Sequence, residues 1–329
     1  MKEFAGSSIV PQSAERLGSR LGDKPGEGVS SIVTLKLANG AQIDVSTRDL
    51  SGCDLSTGLF QSAKLPHAVL DGASLTNGDF SHADLRLASL VGACLTGAEL
   101  QAVNLSGSKL CDCTIQGAGL NEANLSGADL TCVDLTAAHG ERAFFLDCEL
   151  TNAILSQANF TKAILSGAQL TATTLEGASF RLADLSRCTF NDCRGNMATF
   201  ERASLLNTQW RNTVVEDGSF EFADVRNAVF TRCWFTRCCF IGAALEGTQF
   251  IDCDLTGADF YWSDFDDSKC FNCELKDIRR PEEQKIAYGP KGVKPPMVAP
   301  KPLYRQAITD EEREKLLASC LETPDQSSA

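Results

Sequence analysis

The sequence predicts an all-β, four-sided parallel solenoid with twenty residues to a coil. Three observations predict it. From Leu50 to Leu275 every fifth residue is a central position, 46 in all, filled by 25 Leu, 14 Phe and five other apolar residues. Only Gly140 and Gly195 break that rule. The position two residues earlier is small: 24 Ala and 9 Cys among the 46. Finally, Phe60, Phe80, Phe160, Phe180, Phe200, Phe220, Phe240 and Phe260 all fall on multiples of twenty, whereas the next central position along is almost all Leu.

A spacing of five fits neither the 3.6 period of a helix nor the 2.0 of a strand. It suits flat sides of five residues, each sending a large residue and a small one inward, so that the walls approach closely. Segregation of Phe at intervals of twenty sets four sides to a coil. Stacked at about 4.8 Å per coil, the inter-strand spacing, some eleven and a half coils make a rod about 50–55 Å long.

Ala93-Cys94-Leu95-Thr96-Gly97, Ala98-Glu99-Leu100, Ala128-Asp129-Leu130 and Ala258-Asp259-Phe260 carry an A-(D/N)-L-x-x signature. In these residues the chain resembles the pentapeptide-repeat family. The resemblance covers about 70% of the chain and implies a right-handed quadrilateral β-helix. It implies no single activity, because one fold hosts many functions.

The elements follow in order. Residues 1–30 are rich in Ser, Gly and charge and lack the period, which predicts a disordered arm. Ser-rich arms of this kind also resemble type III secretion signals. Residues 31–47 hold two strand-like runs about Asn39-Gly40, the signature of a two-residue hairpin turn, and the hairpin is expected to cap the open N-terminal end. The rod spans 48–278. Its breaks at Gly140 and Gly195 are expected to be Gly defects or short outward loops. A loop would make His139 and Gly140 candidates for partner contact. Residues 279–308 form a Pro/Lys-rich linker. In the final stretch, 309–329, Thr309-Asp310-Glu311-Glu312 reads as the capping box of a short C-terminal helix.

Chemistry is sparse. The three His are His67, His82 and His139, and no nucleophile elbow, phosphate loop or metal-ligand spacing occurs. The expectation is a non-enzyme with no cofactor and no metal. Nine of the fifteen Cys occupy small inward positions, where Cys acts as a slightly larger Ala. Cys233, Cys253 and Cys273 should stack on one side. Unpaired thiols in this number fit a reducing compartment. No apolar run reaches a membrane-spanning length and no Sec-type leader pattern opens the chain, so a cytoplasmic bacterial protein is expected, with secretion into a host cell as the alternative.

Charge carries the functional expectation. Residues 48–275 hold 29 acidic and 15 basic side chains: net −8 over 48–180, +1 over 181–237 and −7 over 238–275. Such a surface repels nucleic acid and attracts basic grooves. Exposed apolar residues should gather at the last coils, where Phe222, Tyr261, Trp262 and Phe271 accompany Asp252, Asp259, Asp264, Asp266 and Asp267 as a candidate partner-binding patch. The leading expectation is an interaction scaffold, similar to secreted effectors of the family. A DNA mimic that binds a topoisomerase, similar to quinolone-resistance members, is the alternative. Against the mimic stands a band of Arg (181, 187, 194, 202, 211, 226, 232 and 237) that changes the sign of the rod midway. A homodimer through the C-terminal coils or the tail helix is a further expectation.

Overall fold

The structure, a computed structural model, describes residues 34–36, 42–44, 49–266 and 269–281. The N-terminal arm, the tail helix, most of the linker and Asp267 lie outside the described residues. Strands β1 (Thr34–Lys36) and β2 (Gln42–Asp44) pair antiparallel, Leu35 opposite Ile43.

The rest is one parallel solenoid. The residues before the central positions bridge residues twenty further on, from Asp49↔Val69 to Asp259↔Arg279, with a break at Ala244 and Asp264. A coil is therefore twenty residues with four sides, named here by their first central residues: the Leu50, Leu55, Phe60 and Leu65 sides. The Leu50 side lies opposite the Phe60 side. Each side is bonded to the next coil through the backbone, as where Leu95 N–H donates to the Thr114 carbonyl at 2.7 Å and Gly97 N–H to that of Gln116 at 2.9 Å.

The corners explain the constant count of five. Every described residue two after a central position, from Gly52 to Asp277, has φ between 50° and 79°. With the N–H of the next residue returned to the central carbonyl, as in Ala63 N–H to Phe60 O at 2.9 Å, this is a type II turn. Gly, Asn and Asp are frequent there because they tolerate the left-handed region. Leu87, Phe222 and Trp262 adopt it too, held by the coils stacked on them.

Gly140 and Gly195 are not loops. Gly140 keeps the ladder (N–H to Asn159 O, 2.8 Å) and the turn (Ala143 N–H to its carbonyl, 3.1 Å). A Cβ there would lie 2.8 Å from the Phe160 ring, which already fills the space. Gly195 likewise keeps both bonds, and a Cβ there would meet Leu175 at 3.1 Å. Each Gly makes room for a neighbour's bulk, so the loop argument for His139 and Gly140 falls.

The core is one continuous column. On the Phe60 side the rings form a stacked pair, Phe60–Phe80 at 4.3 Å, and after Leu100, Leu120 and Gly140 a run from Phe160 to Phe260 with centroids 4.7–5.7 Å apart. The ladder is thus interrupted at Leu100, Leu120 and Gly140, where the twenty-residue spacing lacks Phe. A second stack on the Leu50 side, Phe190, Trp210, Phe230 and Phe250, meets the first edge-to-face across the interior.

The Leu50 side changes character midway. Up to Leu150 it pairs through single bridges and closed turns. From Gln169 it becomes a six-stranded parallel sheet: β3 (Gln169–Thr171), β4 (Thr189–Asn191), β5 (Gln209–Arg211), β6 (Val229–Thr231), β7 (Gln249–Ile251) and β8 (Cys270–Phe271). A hydroxyl or thiol stands at the small position after each strand. Thr213 Oγ1 shows its use. It accepts from Cys193 N–H at 3.3 Å and donates to Phe190 O at 3.1 Å, sitting between the two groups that a closed turn would join. Cys193, Cys253 and Cys273 donate to the central carbonyls of Leu170, Phe230 and Phe250 in the same way, at 3.0–3.5 Å. Inward Cys is therefore a hydrogen-bond donor as well as a larger Ala.

Candidate interaction site

Inward residues are consumed by packing, so function must be sought on the outward columns. The last coils carry the most exposed aromatic surface. Phe222 and Trp262 share one corner column of the Phe60 side, both at positive φ. Phe222 leans across Gly242, where a Cβ would come within 2.5 Å of its ring, and Arg202 lies 5.6 Å from its centroid. Trp262 is 47% exposed and stacks on Tyr261 at 4.8 Å. The Arg279 guanidinium covers Tyr261 at 4.1 Å and pairs with Asp259 Oδ2 at 3.1 Å.

The acidic residues expected beside them are spread around the coil. Asp252 stands on the Leu50 side, where Asn272 Nδ2 donates to it at 2.7 Å. Asp259 is on the Phe60 side, where Tyr261 N–H donates to its Oδ1 at 2.9 Å. Asp264 and Asp266 follow on the Leu65 side, and Glu246 sits one coil below Asp266 in the same column. Asp264 Oδ1 also takes the Leu245 N–H at 2.6 Å, a bond that the backbone carbonyl holds in other coils. Phe271, 54% exposed, belongs to β8 on the Leu50 side, the opposite side of the coil from Tyr261. The single patch expected from the sequence is thus divided. Tyr261 and Trp262 make the corner between the Phe60 and Leu65 sides, Asp264 lies just past it, and Asp266 and Glu246 stand at the far end of the Leu65 side, while Phe271 and Asp252 belong to the Leu50 side. His139 is exposed on the Phe60 side, in the column of Asp259 but six coils away.

Two further surfaces were missed by the sequence reading. Ile154, Trp234 and Met197 are exposed on the Leu55 side, the last at 64%. The outward face of β3–β6 forms a shallow groove of about 540 Å³ lined by Thr171, Thr189, Asn191, Gln209, Arg211 and Thr231. A recurrence of Gln, Thr and Asn every twenty residues was the available signal.

Three Arg of the band are held in ion pairs. Arg226 pairs with Asp224 at 2.6 Å, Arg237 with Asp217 at 2.7 Å and Arg181 with Glu201 at 3.6 Å. The hydrogen bonds from Arg237 hold the Asp217 carboxyl below its usual range. Elsewhere burial opposes ionisation of Asp134, but donors on Thr136 and Gln116 outweigh it and keep its pKa low.

The thiols are governed by burial, which raises Cys113 to about 12 and Cys193 to about 11. Cys233 and Cys253 do stack as expected. A hydrogen bond between them raises Cys233 and lowers Cys253. Among the described residues no group of His, Cys, Asp and Glu is placed to hold a metal, and no helix is long and apolar enough to cross a membrane.

Known proteins share this pattern. A family model described as pentapeptide repeats matches in eight copies, over residues 59–92, 93–131, 128–167, 163–194 and 233–269. Among solved structures the chain is similar to HetL, a protein involved in heterocyst differentiation regulation from the cyanobacterium Nostoc sp. strain PCC 7120. The two are 25% identical over 67% of this chain and 88% of that one, with a TM-score of 0.45. It is similar also to full-length QnrB1, a plasmid-mediated fluoroquinolone resistance protein, at 19% identity over 60% of this chain and 92% of that one, TM-score 0.30. A third is Rfr23 from the cyanobacterium Cyanothece 51142, at 21% identity over 37% and 86%, TM-score 0.23. No curated protein matches the sequence.

Proposed function

Starting from the fact that the chain belongs to the pentapeptide-repeat family, we propose that it is a non-enzymatic rod whose outward columns hold a protein partner. One observation carries the reading. Exposed Trp262, stacked on the half-buried Tyr261, forms an aromatic ledge at one edge of the Leu65 side, which carries Asp264 and, at its far end, Asp266 and Glu246. Aromatic side chains flanked by charge are what binding hot spots are made of. Export from a bacterium into a host cell is an extension of this reading, supported by the Ser-rich residues 1–30. Deleting them should abolish translocation, and unchanged secretion would remove the extension.

The test of the main reading is capture from bacterial and host lysates with the wild-type chain, Trp262→Ala and Met197→Ala. The expected partner is retained by Met197→Ala and lost with Trp262→Ala. Equal retention by both variants rejects the corner.

A second reading is favoured by the ion pairs of the Arg band. Arg181, Arg226 and Arg237 each lie against a carboxylate, so the middle of the rod, at net +1, carries part of its positive charge in local pairs between the two acidic ends. The rod then resembles a charged cylinder suited to a basic DNA-binding groove, such as that of a topoisomerase. Here micromolar protein should inhibit gyrase supercoiling, less so as salt rises. Full supercoiling activity at every salt concentration rejects the mimic.

A further inference from the structure

The last described residue, Pro281, stands directly above Tyr261 in the same column, since Asp259 bridges Arg279. After Glu282 and Glu283 a stretch follows that is opposite in charge to the coils beneath. Residues 238–275 carry eight acidic and one basic side chain, whereas residues 285–305 carry Lys285, Lys291, Lys294, Lys301 and Arg305 with no acid. Five Pro stand among them. The first basic residue to leave the rod already shows how such a side chain is received, because Arg279 lies over the Tyr261 ring and pairs with Asp259.

We propose that the Leu65 face of the last coils, from Trp262 at one corner across Asp264 to Asp266 and Glu246 at the other, is the docking site of this chain's own basic segment 285–305. A Lys stem over Trp262 repeats the Arg279–Tyr261 contact one residue along, where the carboxylates of the Leu65 side stand in for Asp259. Proline lowers the ordering cost of the segment, and its tether supplies an effective concentration in the millimolar range. At about 3.3 Å per residue the chain from Pro281 reaches this face within a few residues. The proposal rests on the face being an interaction surface. It adds that the partner class is a basic, proline-containing linear peptide and that an external partner of this kind must displace the internal one.

The experiment is zero-length carbodiimide coupling of the full chain, followed by peptide mass mapping. Amide links are expected between Lys285, Lys291 or Lys294 and Glu246, Asp264 or Asp266. Their yield should be independent of protein concentration. They should disappear at about 1 M salt, where the Debye length falls to about 3 Å. They should also disappear when the three lysines are changed to Gln, a change outside the rod that leaves its coils intact. Links that grow with concentration and migrate as a dimer would assign the face to a second copy and overturn the proposal. Lysine links confined to other carboxylates, such as Glu122 or Glu149, would overturn it as well. Either result leaves lysate capture by Trp262 to be judged separately, so failure here does not decide the wider reading.

Discussion

The lower coils of the Leu50 side and its upper coils follow one period but are built differently. Below, Leu70 to Leu150 are central and the turns close: Ala93 N–H bonds Leu90 O at 2.9 Å, and Val133 N–H bonds Leu130 O at 3.2 Å. Above, Phe190, Trp210, Phe230 and Phe250 are central, the strands lengthen, and Thr or Cys groups reach between coils to the turn carbonyls. A donor alone does not open a turn. Cys113 Sγ donates to Leu90 O at 2.7 Å, yet the Ala93 bond persists. Ring width does not open one either, since Phe160 to Phe240 on the Phe60 side keep closed turns and the corner after Leu170 is open without a ring. The open corners of the Leu50 side are those with Thr or Cys at the small position of both that coil and the next, and these hydroxyls and thiols supply partners for the polar groups exposed. Without those partners the open corner would be costly, because a buried unpaired carbonyl or N–H costs about 1–3 kcal/mol.

The comparison breaks most severely if a charge enters either half. Leu125 is fully buried in the Leu-rich coils, and Leu125→Asp places a carboxylate where no partner is in reach. The loss should exceed about 4 kcal/mol and spread beyond one coil, since neighbours share the core. Hydrogen exchange should show coils on both sides opening together. Asn121→Asp, in the adjacent side but outward, should stay within about 0.5 kcal/mol, because an Asp oxygen can still accept the Glu141 N–H now held at 2.9 Å.

Next in size is Trp210→Ala, expected to cost about 3–5 kcal/mol by urea unfolding. The ring stacks on Phe190 at 3.7 Å, and its Nε1 donates to Thr208 Oγ1 at 3.0 Å. Trp210→Leu should cost less and sharpen the comparison. It restores the central residue of the lower coils, and because the corner after Leu170 is open without a ring, exchange of the Cys193 amide should stay as it is. A slowed amide would show that ring width sets the corner after all.

Gly140→Leu restores the letter of the repeat yet should destabilise by about 1–3 kcal/mol, because its Cβ meets the Phe160 ring. Adding Phe160→Leu should recover part of the loss. Independent, additive effects of the two changes would refute the claim that the Gly exists for the ring.

Much of this was legible in the chain. The twenty-residue coil, the inward pairs and the contact of Cys233 with Cys253 follow from spacing alone, because each inward position has the same neighbours in every coil. What was not legible depends on direction. Phe271 and Trp262 are nine residues apart, yet two corners intervene and they face opposite ways. Arg226 and Asp224 looked like separate charges on a mixed surface, and only the outward alternation along one side makes them partners. The hydroxyl and thiol ladder was visible as Thr173, Cys193, Thr213, Cys233, Cys253 and Cys273. It was misread because residue size was considered and hydrogen-bonding capacity was not.

Thr213→Val isolates that last point. Val conserves the shape and removes the one atom that bridges Cys193 N–H and Phe190 O, both out of reach of water. Two outcomes are physically open to the coil. The bridged groups can remain apart, at a cost of about 1–3 kcal/mol. Alternatively the corner after Phe190 can close on itself, as at Val133. Pairing of β4 with β3 on one side and β5 on the other holds the corner open, so the expected result is the full loss of stability together with faster exchange of the Cys193 amide. Thr213→Ser, which keeps the hydroxyl, should restore the protection. A Val variant as stable as the wild type, with a slow Cys193 amide, would mean that the corner closes freely and that the aromatic coils do not need their donors.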